Sequence, residues 1–286
     1  MSIKKLWYDA LVYRKYRTLK PQSVVLKASG NKVYINPEDG RAFKKLAVDT
    51  SRGRESLPMQ FWRNHNEAHP EAIMMDVGAN YGECSFNANY PSGQDILVEA
   101  NPGLIPYLQQ SIDAHGDAER ISLVNCLVAS ECGEAVEFHY SPDWTGSGAA
   151  IKDDKHTHSA KVRQRSLDDI LAEKNQRPTA ESTLVFKMDI EGFEHEAFKG
   201  FSCLESFAGF VGILEFSSIY LRRSGSSAES FCTHLLNRAK VFVVEKGRKK
   251  LNRISSWEDL PRNASDEIHC DLVITSAPDL IASGWL

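Results

Sequence analysis

The chain has 286 residues and a mass of 32.0 kDa, with 34 basic against 38 acidic side chains, a net charge of -4 and a pI near 6.2. That length suits one large α/β domain with an extension, and the acidic balance argues against a nucleic-acid coat. The six cysteines form no C-x-x-C pair and show no zinc-ligand spacing, so they read as core thiols in a reducing compartment.

Residues 1–20 carry Lys4, Lys5, Arg14, Lys15, Arg17 and Lys20 against a single acid, Asp9. Leu6, Trp7, Ala10 and Leu11 fall on one helical face, which predicts a helix docked on the body, with a peripheral contact to anionic lipid as the alternative. The segment lacks the apolar core of a secretion signal, and no run of about 18 apolar residues follows that could span a bilayer. The expected location is therefore cytoplasmic, with membrane contact, if made, at the inner face. Val24-Val25-Leu26 and Val33-Tyr34-Ile35, separated by Ala28-Ser29-Gly30-Asn31, predict a hairpin. A polar, helix-compatible stretch runs on to about His69, and Pro70 marks a change of pattern. Residues 1–70 are read as an extension and 71–286 as the main domain.

From Ile73 onward, short β-branched runs alternate with helical segments, the pattern of a parallel sheet covered on both faces. Strands are predicted near 73–77, 95–99, 121–127, 183–189, 210–216, 240–245 and 269–275. Helices are predicted at 103–114, 167–173, 194–200 and 228–238, with Ser166 and Asp169 forming an approximate capping box. A hairpin-like insert spans about 134–165, and its Gly146-Ser147-Gly148 stretch reads as a bend over a site.

The first strand runs into Asp76-Val77-Gly78-Ala79-Asn80-Tyr81-Gly82, followed by a segment that can be helical. Glycines here let a backbone approach a ligand where an open sheet binds nucleotides. The second strand ends at Glu99, 21 residues after Gly78, the spacing at which an acid meets ribose hydroxyls. A dinucleotide site needs G-x-G-x-x-G facing a pyrophosphate, whereas this turn has Asn80 in place of the second glycine and a carboxylate, Asp76, at its mouth. S-adenosylmethionine has no phosphate but carries an ammonium and a sulfonium, so an acidic mouth favours it.

Four stretches in order, Asp76 to Gly82, Val98-Glu99-Ala100-Asn101-Pro102, Arg165-Ser166-Leu167-Asp168-Asp169 and Lys187-Met188-Asp189-Ile190-Glu191-Gly192-Phe193-Glu194, make the chain resemble the FkbM-type S-adenosylmethionine-dependent methyltransferases. The resemblance implies a class I Rossmann-like fold, with seven strands in the order 3-2-1-4-5-7-6 and the seventh antiparallel. It also implies methyl transfer to a hydroxyl of a sugar or a polyketide. Donor contacts are then expected from Asp76, Gly78, Asn80, Tyr81, Gly82, Glu99 and Ala100, with Cys126 and Leu127 around the adenine and Asn125 as a weaker choice.

Lys187, Asp189 and Glu191 recur at a spacing of two at the end of the fourth strand, where α/β sheets keep their ligands. Charges on a central strand need a reason. Asp189 is the leading general base or substrate-orienting group, with Glu191, Glu215 and Lys187 as partners. Alternatively Asp189, Glu191 and Glu215 hold a magnesium ion that acidifies the acceptor hydroxyl. His139, His156, His158 and His195 compete for the base role, and Tyr140 and Trp144 could stack on a sugar.

The leading reading is an O-methyltransferase acting on a hydroxyl of a saccharide or glycolipid-type acceptor, and three others stay open: a polyketide or other secondary-metabolite acceptor, a nicotinamide oxidoreductase or epimerase, and a binding module without turnover. The expected partner is a small-molecule or glycan acceptor, with no nucleic acid. Oligomeric state is not legible in the sequence.

Overall fold

The computed structural model describes residues 3–90, 92–149, 154, 156–245 and 250–285. A helix spans Ile3–Tyr16, and a short antiparallel hairpin pairs β1 (Ser23–Val25) with β2 (Lys32–Tyr34). Gly30 turns that hairpin at φ 78°, a conformation in which a Cβ is unfavourable. A wide helical turn (Phe43–Val48) follows, and then the helix Leu57–Ala68, whose N-terminus is capped by Ser56 accepting from the Met59 amide.

The rest of the chain builds a mixed sheet from β3 (Ile73–Val77), β4 (Gln94–Glu99) and β5 (Ile121–Asn125), then, after the insert, β10 (Thr183–Met188), β11 (Gly209–Ser217), β12 (Lys240–Val244), β13 (Leu251–Ile254) and β14 (His269–Thr275). Its order is β13-β12-β14-β11-β10-β3-β4-β5. Strands β5, β4, β3, β10 and β11 run parallel, and β14 is antiparallel to both of its neighbours. The expected seven strands are thus eight. The added strand, β13, pairs antiparallel with β12 at the edge. Its residues Asn252 and Arg253 are exposed, so it lacks the apolar run that marks the other strands.

Period-two alternation sends β3 residues to opposite faces. Met74 joins an apolar cluster with Leu97, Val185 and Val211, and this cluster also takes in Val12, Val24, Val33, Phe61 and Trp62 from the N-terminal seventy residues. Ile73, Met75 and Val77 join the opposite cluster with Leu171, Phe198 and Phe231, from helices Leu167–Glu173, Glu194–Lys199 and Ala228–Arg238. The N-terminal segment therefore covers part of one face of the sheet, which it shares with Leu108 and Ile112 of the helix Ile105–Asp113 and with Ile281 and Trp285 near the C-terminus.

The first helix docks through Val12, which is fully buried, with Tyr8 and Tyr16 one turn to either side. Leu6, Trp7 and Ala10, expected on the docking face, point outward instead. No helix among the described residues is long and apolar enough to cross a membrane.

Three local expectations are corrected. The segment after β3 forms turns and a short 3-10 helix (Ser85–Asn87) rather than an α-helix, because Gly78, Asn80 and Gly82 all take positive φ and break helical continuity. The insert is a four-stranded sheet of β6 (Leu127–Val128), β7 (Ala135–Ser141), β8 (Trp144–Ala149) and β9 (His158–Arg165), in the order β6-β9-β7-β8. Its tight turn lies at Pro142-Asp143, so Gly146 to Gly148 sit inside β8 and not in a bend. The third predicted strand is split between β5 and β6 at Cys126, whose amide donates to the Glu99 carbonyl.

Candidate donor-binding cleft

A cleft opens at the C-terminal ends of β3, β4 and β10, with about 930 Å³ of empty space including its mouth. Its walls can be followed across the sheet. Cys126, Leu127 and Val128 line one end, Val98, Glu99 and Ala100 come next, Gly78, Ala79 and Asn80 form the floor, and Lys187, Asp189, Ile190 and Glu191 line the far end.

Glu99 is buried, and both of its oxygens are engaged by the backbone. Oε2 accepts from the Asn80 amide and Oε1 from the Asn101 amide, each at 2.7 Å. Each carboxylate oxygen keeps a second lone pair. Burial pushes this carboxyl up to about 7, against the pull of the two amides. Asn125 reinforces the corner by donating to the carbonyls of Glu99 and Ala100.

Gly78 (φ 77°) is where β3 meets the fourth motif. A Cβ built there would lie 1.9 Å from the Asp189 carbonyl oxygen. The Asp189 amide in turn donates to the Val77 carbonyl at 3.0 Å. The floor and the Asp189 segment are thus one locked unit, and only glycine allows that approach.

Lys187 lies in register with Asp76 across the β10–β3 pair. Its Nζ stands 3.2 Å from Asp76 Oδ1 and donates to the Gly78 carbonyl at 2.5 Å. Burial works against the ammonium, but Asp76 and Asp189 outweigh it and hold it protonated. Asp76 is itself 1 % exposed and also accepts from Ser85. It therefore sits behind the floor rather than at the mouth, which corrects the sequence expectation. The acidity of the cleft comes instead from Glu83, Glu99, Asp189 and Glu191.

Tyr81 and Gly82 also miss the cleft lining. The Tyr81 hydroxyl donates to Asp39 Oδ2 at 3.2 Å, and Gly82 packs so tightly on the Phe86 ring that a Cβ would fall 2.3 Å from it. Asn80 does line the cleft, at φ 52°.

Beyond β10, Glu191 takes φ 55° and Gly192 φ 103°. This strained turn is braced by Glu194, whose buried Oε1 accepts from the amides of Ile190 (2.9 Å) and Gly192 (3.3 Å). The sequence reading missed Glu194 as a brace, although it falls inside the fourth motif. Burial pushes it up to about 7.

Glu215 lies two residues before the end of β11, outside the cleft lining, with Oε1 3.7 Å from His269 Nε2. Burial, then the negative charge of Asp189 and Glu191, pushes it up to about 9. Its carboxyl thus favours the protonated form, beside the cleft that Asp189 and Glu191 line.

The expected metal set also fails. Among the described residues, no group of three or more His, Cys, Asp or Glu side chains could hold a metal ion, so Asp189, Glu191 and Glu215 do not form the predicted site.

The histidines stand aside as well. His195 stacks on Phe231, with ring centroids 5.2 Å apart, in the helical layer, while His139 and His156 stack on each other at 6.2 Å in the insert. None of these three, nor His158, lines the cleft. Tyr140 packs against Phe138, and it is Phe138 that reaches the cleft wall beside Gly148. The Trp144 side chain lies outside the described residues.

Lys45, Ser56 and Pro58 complete the lining from the N-terminal segment. No sequence signal marks them, because they reach the cleft only through the tertiary fold.

The family profile described as the methyltransferase FkbM domain matches residues 76–231, just over half of the chain. The chain belongs to the FkbM methyltransferase family. The family is S-adenosylmethionine-dependent. A search of curated proteins found no match.

Among solved structures, the FkbM methyltransferase of Methylobacillus flagellatus KT is similar at 13% identity and a TM-score of 0.41, covering 93% of this chain and 60% of that one. This FkbM-family chain thus spans about 60% of the Methylobacillus protein's length. The O-methyltransferase TomG of Streptomyces achromogenes, involved in tomaymycin synthesis and solved in complex with S-adenosylmethionine, is similar at 12% identity and a TM-score of 0.43, covering 97% of this chain and 100% of that one.

Proposed function

We propose that this FkbM-family protein is an O-methyltransferase that moves the methyl group of S-adenosylmethionine to a hydroxyl of a saccharide or glycolipid-type acceptor. The observation that carries the reading is the pairing, in one cleft, of a backbone-held Glu99 with the two carboxylates Asp189 and Glu191.

The residues present fit the donor. Glu99 has lone pairs left over for a ribose diol, and Cys126, Leu127 and Val98 offer an apolar slot for an adenine. When bound, the donor supplies an electrophilic methyl on a sulfonium.

What remains for the protein is to place an acceptor oxygen, accept its proton and exclude water. Asp189 is the proton acceptor in this reading. Its backbone is pinned by Val77 and Gly78, so its carboxylate is presented from a rigid strand end. Glu191, held in its turn by Glu194, orients the acceptor. Lys187 keeps the Gly78 carbonyl and Asp76 in place and is a positioning residue. Glu215, which does not line the cleft, is assigned no part. No metal is assigned a step, since the donor set for one is not assembled.

A carboxylate-lined mouth favours an acceptor rich in hydroxyl donors, which supports a saccharide over an apolar polyketide. Phe138, buried against Leu127 and Gly148, closes the insert side of the cleft. The test is to incubate the protein with methyl-labelled S-adenosylmethionine and a panel of glycans, glycolipids and phenolic polyketides. Label recovered as a methyl ether on a sugar supports the reading, and label on nitrogen, carbon or a polyketide hydroxyl overturns it.

A further inference from the structure

The helix Ile3–Tyr16 carries a face that the fold leaves uncovered. It docks on the body through Val12, with Tyr8 and Tyr16 one turn to either side. With about 3.6 residues per turn, Leu6, Trp7, Ala10, Tyr13 and Arg14 fall on the side away from Val12, and all five are exposed. Among the described residues, the large apolar side chains that stand in solvent are Leu6, Trp7, Tyr13, Leu19 and Val25, the first three each about half exposed. Every one of them lies in the first 25 residues of the chain. Single exposed apolar residues are ordinary on any globular surface, but their confinement to one segment marks an interaction surface.

Charge decides the kind of partner. Residues 1–20 hold six basic side chains and one acid, a net of +5 that leaves -9 for the rest of a chain whose total is -4. Arg14, Lys15, Arg17 and Lys20 are exposed. Lys20 is paired with Glu38 at 2.6 Å, and Lys15 donates to the Thr50 carbonyl at 2.8 Å. Arg14 lies on the outward face itself, and the Arg52 guanidinium stands 5.4 Å from the centre of the Trp7 ring, which adds a cation beside the apolar stripe. The one acid of the segment, Asp9, falls on the docking side of the helix.

A second copy of the chain would bring two such positive segments together, so like charge opposes self-association through this face. An anionic lipid surface suits both of its halves. The acyl boundary takes the apolar stripe, the headgroups take the cations, and Trp and Tyr are the side chains that settle at that boundary.

The helix is also tied to the wall of the cleft. The hydroxyls of Tyr16 and Thr50 are hydrogen-bonded at 2.7 Å, and Thr50 Oγ1 donates to the carbonyl of Leu46 at 2.6 Å, the residue after Lys45 of the cleft lining.

We propose that the outward face of the helix Ile3–Tyr16 is a peripheral docking site for an anionic lipid bilayer, with Leu6, Trp7 and Tyr13 entering the headgroup boundary and Arg14 and Arg17 meeting lipid phosphates. The negative remainder of the chain is repelled by the same surface, so the helix leads the approach. The docking site stands independently of the reaction assigned above. Only its consequence, that the cleft meets a lipid-borne acceptor at the membrane, rests on the glycolipid reading.

The experiment is co-sedimentation of the full chain with vesicles of phosphatidylcholine mixed with phosphatidylglycerol, against vesicles of phosphatidylcholine alone. The protein should pellet with the anionic vesicles and bind the neutral ones at least about tenfold more weakly. Raising salt from about 0.1 M to about 1 M, which shortens the screening length from about 10 Å to about 3 Å, should release it. Arg14→Gln with Arg17→Gln should weaken partitioning by about tenfold or more, since each basic side chain near such a surface contributes about fivefold. Leu6→Gln with Trp7→Gln should do the same through lost apolar burial. These four side chains are exposed, so each double variant should keep the melting temperature of the unsubstituted protein.

No pelleting, equal binding to neutral and anionic vesicles, or unchanged binding by either double variant would overturn the docking site. So would a dimer in sedimentation equilibrium that the Leu6 and Trp7 replacements dissolve, which would assign the face to a second copy. A protein that pellets as expected but methylates no glycolipid keeps the docking site and overturns the glycolipid consequence alone.

Discussion

Replacing Glu99 by Gln changes one oxygen into an amide nitrogen and leaves shape almost untouched. In the native protein the carboxylate accepts two backbone amides at 2.7 Å. In the variant one of those amides faces an NH2 group and loses its acceptor, which costs about 1–3 kcal/mol of stability. That loss falls equally on free and bound protein, so it lowers the melting temperature without touching affinity.

Affinity responds to a second loss, that of the anionic acceptor for a ribose hydroxyl. A charged hydrogen bond contributes about 1.5–3 kcal/mol, so the dissociation constant for S-adenosylhomocysteine should rise by roughly ten- to a hundredfold. Titration calorimetry reads the second effect and scanning calorimetry the first. A lowered melting temperature with affinity within twofold of the unsubstituted protein would reduce Glu99 to a brace for the turn and refute its role in binding.

The pH dependence separates the two roles again. Burial raises the folded carboxyl to about 7, so the folded protein keeps a proton that the unfolded chain releases. This group's contribution to stability is therefore fully present below about pH 4.5 and is lost as pH rises through 7. Ligand affinity moves the other way, weakening as pH falls through 7 and the second anionic acceptor disappears. In the Gln variant both dependences should flatten.

Asp189→Asn should leave the S-adenosylhomocysteine affinity within about threefold but cut turnover by about 100-fold or more, as expected for a lost general base; unchanged turnover would assign Asp189 a structural role. Gly78→Ala places a methyl 1.9 Å from the Asp189 carbonyl at a φ of 77°, and urea denaturation should show a loss of at least about 3 kcal/mol; a loss below about 1 kcal/mol would show that the locked unit can yield. Asp95 is fully buried, with neither carboxyl oxygen in hydrogen-bond geometry, and burial, then Asp76, pushes it well above the ordinary carboxylate range. Its contribution to stability is present in acid and lost toward alkaline pH, so Asp95→Asn should be more stable than the unsubstituted protein at pH 8 and differ little at pH 4; a destabilised variant at pH 8 would refute the assignment.

Much of the sheet is legible in the sequence because its strands are buried on both faces and read as apolar runs. Ile73–Val77 and His269–Thr275 fall where those runs predict them, and Ser166 caps its helix as expected, accepting from the Asp169 amide at 3.2 Å. Leu251–Ile254 escapes because an edge strand with outward polar residues carries no such run.

The site divides in the same way. Glu99, Asn80 and Asp189 are announced by local motifs and reach the cleft. Asp76 stands one residue before Val77, on the face that the N-terminal segment helps to cover, and only the inter-strand register reveals that Lys187 is its partner. Lys45 reaches the cleft from 31 residues before the first motif, and no local pattern encodes that approach. Glu83, adjacent to the glycine turn, carried a signal in its position alone.

The insert has a small apolar nucleus of its own, Leu127, Phe138 and Val162, separate from the two large clusters that hold the sheet. Its strands nevertheless supply Phe138 and Gly148 to the cleft. Substitutions on the insert can thus reshape that wall while the two apolar clusters that hold the sheet stay intact.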